Sequence, residues 1–450
     1  MKKSSFNIVQ EYQNHFLLYN TLSTSIVEIE RELYNQIFEM GDYSLSEVKA
    51  LYEMGFLVDD NCNEVQEMRL LRDEVIKNSS EKIGNIIIAP TLECNAHCYY
   101  CFENGYRKGI MNQKTADALI KFLEKNWNGE KLGITWFGGE PILASEIIDY
   151  ITQKLIGRGV KVGCKITTNG SLIDENIISK MVNYWCVEKV QITIDAIGEE
   201  YNRIKNYDKN IDDPFGKVMN NIEKLLLNDI KVKIRINFDP EKQESVLETF
   251  NYLVNKFNKF ENLKIYFAPI DNDENIVRNI VDDFDDFDEH PYISLIKFGR
   301  KNNLYRGFPD VEEYDDIKED ANILLKKLKI FPSTINCYAS CPNVFSVAPN
   351  GDLYKCHRVL GREEYSSGNV VDGIKNNNAY KFFCNTEMTY DECKECNVLP
   401  ICQGGCKVNA KLFSGKEACA PCKAIIKDLI LLYKEDLENI EREEEKYESY

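Results

Sequence analysis

The chain is short of positive charge. Lys and Arg together number 55 against 73 Asp and Glu, a net charge of −18 over 450 residues. That balance repels phosphate backbones and excludes nucleic acid as a partner. The acid concentrates in a block from Asp271 to Glu289 and a tail from Glu435 to Tyr450, which read as a solvated face and a solvated helix end. A membrane-length apolar run is also missing. Lys427 and Asp428 break the most apolar late stretch, so no membrane is expected as a partner. The N-terminus, Met1-Lys2-Lys3-Ser4-Ser5-Phe6-Asn7, lacks the apolar core of a secretory signal. These absences predict a cytoplasmic protein, whose thiols stay reduced.

Against that background the chain carries 16 cysteines. In a reducing compartment they argue for metal rather than disulfides, and for a life with little oxygen. The densest short group is Cys94-Asn95-Ala96-His97-Cys98-Tyr99-Tyr100-Cys101, just after the apolar run Ile86-Ile87-Ile88-Ala89. Three thiolates at C-x3-C-x2-C spacing on one loop suit three irons of a cubane. A four-iron cluster normally takes four thiolates, so the gap suggests a cluster that binds its substrate directly. A zinc half-site is the competing reading.

Length allows two or three domains, and 44% hydrophobic residues with 25 Tyr and 22 Phe can fill a sizeable core. Residues 1–80 carry no cysteine cluster. Phe6–Tyr12 and Phe16–Leu22 read as strands, and Ile26–Met40 as a helix. Ser44-Leu45-Ser46-Glu47 fits a capping box, with Gly55 as the stop of the helix it opens and Phe56-Leu57-Val58 as a strand. This is the size and order of a winged-helix-like module, although the acidic balance argues against DNA.

Residues 81–335 change texture. Apolar runs at 85–92, 132–137, 161–167, 188–194, 231–238 and 263–268 read as strands. Helical periodicity fills the gaps, as over Thr115–Trp127, Ile142–Leu155 and Ile173–Tyr184. Six βα units predict an α/β fold, a partial (β/α)6 TIM-like barrel with its active site at the strand C-termini. Residues 336–450 form a loop-rich segment holding ten of the cysteines, and Lys423–Tyr450 reads as one amphipathic helix.

After the second strand comes Trp136-Phe137-Gly138-Gly139-Glu140-Pro141. Two glycines let the backbone approach a ligand, and Glu140 can accept hydrogen bonds from an amine. Together with the cysteine loop, this segment closely resembles the radical S-adenosylmethionine (radical SAM) superfamily. The resemblance implies a SAM-binding [4Fe–4S] cluster on Cys94, Cys98 and Cys101. It implies Gly138, Gly139 and Glu140 on the methionyl amine of SAM. Further cofactor contacts would come from Tyr100, from Asn169 in Thr167-Thr168-Asn169-Gly170, and from Thr193 and Asp195 in Gln191-Ile192-Thr193-Ile194-Asp195. Ala196 replaces the glycine usual after that aspartate. Arg203 and Lys205 are the candidates for the base facing the SAM carboxylate, and Arg235 lies on the fifth strand. Ordinary strand-end hydrogen bonding competes for each polar residue.

A second array follows. Cys341, nine residues, Gly351, four residues and Cys356 are one half; Cys393-x2-Cys396-x5-Cys402-x3-Cys406, then Cys419 and Cys422, are the other. This resembles the SPASM extension of radical SAM enzymes, which implies two auxiliary [4Fe–4S] clusters. The first would take Cys341, Cys356 and Cys406, with Cys337 as the fourth ligand or an open site. The second would take Cys393, Cys396 and Cys402 plus Cys419 or Cys422. A zinc ribbon is the alternative. Metal binding would supply folding energy to a segment with little core of its own. Cys62 and Cys384 remain as redox or surface thiols, and Cys164 and Cys186 as small core residues.

The resemblance implies reductive cleavage of SAM to a 5′-deoxyadenosyl radical in a dry pocket, with electrons from a flavodoxin- or ferredoxin-type donor. The N-terminal module resembles the precursor-recognition domain of ribosomal-peptide maturases, which bind a leader peptide by strand addition. The expected reaction is a Cys thioether crosslink in that peptide, as in sactipeptide and ranthipeptide maturases. Anaerobic sulfatase maturation to formylglycine is the main alternative. Those enzymes use an Asp after the cysteine matching Cys356, where this chain has His357. Carbon–carbon crosslinking and epimerisation are further options. If the cysteines serve three cubanes, reconstituted protein should hold about twelve irons, and replacing Cys94, Cys98 and Cys101 by Ala should remove about four. Iron and zinc analysis of the two proteins checks this.

Overall fold

The computed structural model describes residues 1–78, 82–103, 109–208, 211–238, 243–270, 291–305, 325–327, 337–385, 391–409, 423, 425–432 and 434–435. The acidic block, the acidic tail beyond 435, and Cys419 and Cys422 lie outside these residues. Among the described residues no helix is long and apolar enough to cross a membrane.

The chain opens with β1 (Lys2–Lys3), then an antiparallel meander of β2 (Asn7–Tyr12), β3 (His15–Asn20) and β4 (Ser25–Glu30). The expected helix from Ile26 is therefore a strand over its first third. Its sequence, Ser-Ile-Val-Glu-Ile-Glu, is rich in branched residues that suit a pleated surface. Ile26 joins the main core while Val27 and Ile29 face a second cluster with Leu18, Tyr34, Leu51 and Phe56, so both faces of the strand are buried. Helix resumes only at α1 (Arg31–Tyr34), running into a π-helical turn. The capping box does not form. Ser44 bonds back to Asp42, and α2 (Val48–Glu53) has no side-chain cap. Gly55 does end that helix, at a φ of 82° that favours glycine. β5 (Leu57–Val58) then pairs with β1.

Helix α3 (Glu64–Asn78) buries Glu64, Met68 and Arg72, one residue per turn along a single face. The Glu64 carboxylate accepts from Ser4 Oγ and from both the amide and hydroxyl of Ser5, each at 2.8 Å, which fixes the helix to the chain start. Met68 packs with Phe6 and Leu399, next to Val65, Cys393 and Cys396. The module is thus mounted on the C-terminal cysteine segment.

The expected parallel strands are all present: β6 (Asn85–Thr91), β7 (Leu132–Gly138), β8 (Val162–Thr168), β9 (Val187–Thr193), β10 (Lys231–Phe238) and β11 (Leu263–Pro269), hydrogen-bonded in that order. Between them lie α4 (Gln113–Asn126), α5 (Ser145–Gly157), α6 (Glu175–Asn183), α7 (Gly198–Lys205), α8 (Pro214–Leu227) and α9 (Gln243–Phe257). Ile86, Ile134, Ile166, Ile192, Ile234 and Ile265 carry the core through all six strands, as expected where helices cover a parallel sheet.

The sheet does not stop at β6. The short strand β12 (Leu325–Lys327) joins the N-terminal sheet beside β4. β13 (Phe345–Val347) pairs in parallel with β6, and β14 (Asp352–Tyr354), β15 (Ser366–Asn369) and β16 (Gly373–Ile374) extend it antiparallel to ten strands. The C-terminal segment, expected as loops, is therefore bolted to the strand that delivers Cys94. Residues 425–432 are helical and bury Ile425, Ile426, Leu429 and Ile430 in the main core.

Candidate active site

The sulfur loop begins three residues beyond β6 and is held from two sides. The His97 amide donates to the Lys205 carbonyl at 2.8 Å, and the Asp208 amide to the Asn95 carbonyl at 3.0 Å. His97 Nε2 meets Asp208 at 2.9 Å. On the other side Asn169 Nδ2 donates to Asn95 Oδ1 at 2.8 Å and reaches Cys94 Sγ at 3.9 Å. The Ala96 amide approaches the same sulfur at 3.4 Å. Burial pushes the Cys94 thiol up to about 12, with the charges of Cys98 and Cys101 adding to the effect. Three thiols brought together, with N–H donors aimed at one sulfur, fit an iron-bound thiolate better than they fit free thiols. Among the described residues no three Cys, His, Asp or Glu close on one point as ligands of a single ion do. A cubane asks for one thiolate at each corner.

Gly138 and Gly139 explain where the loop sits. A Cβ on Gly138 would stand 2.1 Å from the Thr91 carbonyl, and one on Gly139 2.2 Å from that of Glu93. The close approach that these glycines allow is first to the chain's own cysteine loop. The Glu140 amide donates to the Glu93 carbonyl at 2.8 Å. The Glu140 side chain departs from expectation. It is fully buried and accepts from the Ile142 amide at 3.1 Å, Thr168 Oγ1 at 2.8 Å and the Asn169 amide at 2.8 Å. Its carboxylate locks the β7 end to the β8 end, so a direct contact with an amine is not the role its geometry favours. Burial pushes this carboxyl up to about 7 against the pull of those three donors.

Lys205 and Arg203 separate cleanly. Arg203 points to solvent and is paired with Glu200 at 2.6 Å, so it is not the base at the site. Lys205 is buried, with Nζ 2.7 Å from Asp195 Oδ2 and 2.8 Å from the Tyr100 hydroxyl, which itself donates to Asp195 at 2.5 Å. Burial opposes the Lys205 charge, but Asp195, with Tyr100, Cys98 and Tyr201 behind it, outweighs that and holds the ammonium well above its usual range. Asp195 Oδ1 is buried and has no donor. A hydroxyl or ammonium of a bound SAM would complete it. Thr193 ends β9 opposite Arg235 in register. Arg235 Nε donates to Asn237 Oδ1 at 2.6 Å and its charge acts on Tyr266.

The second array gathers around the β13–β14 hairpin. Cys356 interacts electrostatically with Cys337 and Cys406, and Cys337 with Cys341, so the four expected thiols of the first auxiliary site come together. Cys384, a leftover thiol in the sequence, acts on Cys341. It closes the helix Asn378–Cys384, and no spacing signals it. Cys393, Cys396 and Cys402 lie on adjoining short turns, with amide links from Cys396 to Cys393 and from Cys402 to Val398. Cys164 is a core residue as expected, but Cys186 is exposed at a φ of 51° in the turn before β9. His357 packs edge-on to Phe137 at 4.7 Å and to Phe102 at 6.0 Å, and its Nδ1 meets the Tyr338 hydroxyl. Phe102 follows Cys101 and Phe137 precedes Gly138, so His357 joins the auxiliary array to the first cysteine loop. Burial and then the Arg358 and Arg235 charges lower it to about 4, leaving it neutral near pH 7.

The sequence over 88–253 matches the family model of the radical SAM superfamily. Residues 88–253 are a radical SAM domain. A cysteine-type anaerobic sulfatase-maturating enzyme of Clostridium novyi is 26% identical over 361 residues, spanning 73% of this chain and 89% of that protein. A serine-type enzyme of the same name from Bacteroides thetaiotaomicron is 25% identical, over 70% and 80%. Among solved structures, native anSMEcpe with bound AdoMet and Cp18Cys peptide aligns at TM-score 0.58 and 18% identity, covering 78% of this chain and 99% of that one. Streptococcus suis SuiB bound to precursor peptide SuiA aligns at 0.53 and 15%, covering 94% and 99%. The chain is an enzyme, an oxidoreductase that carries a radical SAM domain over residues 88–253.

In the radical SAM domain, SAM and a [4Fe–4S] cluster supply the radical when bound. Cys94, Cys98 and Cys101 are the residues that would hold the cluster. The chain itself contributes a loop pinned by backbone, a buried acceptor on Asp195 and a buried cation on Lys205. Gly139→Ala should lower thermal stability by about 1–3 kcal/mol through overpacking and weaken SAM binding, measured by melting and by equilibrium dialysis. Lys205→Met should cost about 3–5 kcal/mol by stranding Asp195, and much of that should return in Lys205→Met with Asp195→Asn. Denaturant melts of the single and double variants check the sign.

Proposed function

We propose that this radical SAM enzyme oxidatively modifies a ribosomally made precursor peptide, forming a Cys thioether crosslink. In this reading residues 1–80 are the winged-helix-like recognition module, and residues 336–450 are a SPASM extension with two auxiliary clusters. The carrying observation is one of coverage. Two solved structures are each matched over 99% of their length, yet the sulfatase-maturase accounts for 78% of this chain and SuiB for 94%. The difference is about the size of the N-terminal module. His357, neutral and set between the two cysteine regions, supports the same reading, because sulfatase maturases use an acid there.

The sequence relatives favour the second reading. Those quoted are sulfatase-maturating enzymes over most of their length, so formylglycine formation remains the competitor that the experiment must separate.

A leader added to the N-terminal sheet has two edges to choose from. One is β2; the other, β4, is already paired with Leu325–Lys327 of the chain itself. The leader lies beside β2 or replaces those three residues, through main-chain pairing in either case.

The test is anaerobic incubation with SAM, a reductant and the short Cys-bearing peptides encoded beside the gene, followed by mass spectrometry. A thioether appears as loss of two hydrogen atoms with sulfur retained and the thiol no longer alkylated. Loss of sulfur with an aldehyde captured by hydrazide would instead establish the competitor. The chain lacking residues 1–78 should still release 5′-deoxyadenosine but modify peptide only at raised concentration. Its iron is measured first, because the cut uncovers Leu399 beside Cys393 and Cys396.

A further inference from the structure

Arg72 is a buried cation whose Nε finds no partner among the described residues. Its residue is 4% exposed, on the face of α3 that also buries Glu64 and Met68. Its Nε is sealed from water and has no hydrogen-bond partner, and no ion pair holds it among the described residues. The charges acting on it are those of Asp73, its exposed neighbour in sequence, and of Cys337, Cys341 and Cys384. A guanidinium N–H taken out of water without an acceptor is a cost. The side chain is therefore either a defect or the answer to an anion that these thiols carry.

Two other cations surround the same thiols, and both are spent on carbonyls. Lys355 Nζ donates to the Cys341 carbonyl and, at 2.7 Å, to that of Val344. Lys407 Nζ donates to the carbonyls of Phe382, Phe383 and Asn385. Arg72 differs from both in coming from the N-terminal module, more than 260 positions away in sequence from Cys337.

We propose that Arg72 is the built-in counter-charge of the first auxiliary cluster, supplied to it by the N-terminal module. The inference rests on reading Cys337, Cys341, Cys356 and Cys406 as that cluster's ligands. A positive charge beside an iron–sulfur cluster favours its reduced, more negative form and raises its potential. Arg72 is a positioning residue in this sense and touches no substrate.

The experiment is a redox titration followed by electron paramagnetic resonance on full-length reconstituted protein, with iron counted on the same samples. Wild type is compared with Arg72→Met, which keeps the bulk, and Arg72→Lys, which keeps the charge. In Arg72→Met one midpoint should move downward while the others stay, and Arg72→Lys should restore most of the shift. Loss of about a third of the iron in Arg72→Met, with retention in Arg72→Lys, would support the proposal equally. Unchanged midpoints in both variants at full iron would overturn it, as would equal loss of iron from both, which would mean a packing role alone. Wild-type protein with iron for one cluster only would overturn the reading of the array, and the inference with it, before any substitution is compared.

Discussion

Two backbone carbonyls decide where the chemistry sits. Those of Thr91 and Glu93, at the end of β6, accept the amides of Gly139 and Glu140 at the end of β7, at 3.3 and 2.8 Å. The contact is possible only because positions 138 and 139 have no side chain. Everything nearby is referenced to it. Glu140, held by its own amide, turns its carboxylate onto Thr168 and Asn169 at the end of β8. Asn169 then reaches back to Asn95 and toward Cys94. Three strand ends and the sulfur loop become one hydrogen-bonded unit before any cofactor binds, so the position of the thiols is prepaid by the fold.

The net charge of the chain is a poor guide to what its sites experience. The surplus acid includes the stretches 271–289 and 435–450, whereas buried Lys205, Lys355 and Arg72 all stand beside cysteine loops. Burying a cation is unfavourable unless an anion accompanies it. Three such cations at two cysteine-rich places is what anionic, thiolate-ligated clusters would call for. Asp195 answers Lys205 within the protein, and main-chain carbonyls answer Lys355.

The parallel strands were legible to within a residue or two because each sets a row of buried branched residues against the core, as Val232, Ile234 and Ile236 do in β10. β4 was not, because Ile26, Val27 and Ile29 fit a helix face as well as a two-sided strand. The choice between Arg203 and Lys205 was in fact present in the sequence. On α7, Tyr201 lies four residues before Lys205 and marks the inward face, while Glu200 lies three before Arg203 and marks the outer one. Glu140 was found by type but not by direction, since no pattern tells which neighbours a buried carboxylate will take. The meeting of His357 with Phe102 and Phe137 joins segments far apart in the chain, and periodicity carries no trace of it.

The N-terminal module and the cysteine array have been built as one body. α3 lays Val65 and Met68 against Leu399 near Cys393 and Cys396, and one turn later buries Arg72, on which the charges of Cys337 and Cys341 act. Thr21 donates to the Asn397 carbonyl at 2.6 Å, and Lys434 meets Glu28 of β4 at 2.7 Å. A recognition domain on a flexible tether works by raising local concentration and leaves the approach of its ligand free. These contacts suit a different arrangement. Whatever pairs with the sheet is held by a platform that also packs on the auxiliary thiols, so the segment following the bound strand leaves at a fixed place relative to the sulfur sites. Were a leader peptide to pair there, as proposed, selection of the residue to be modified would follow from how far along the peptide that exit lies, a matter of chain length and direction rather than of side-chain recognition at the reacting atom.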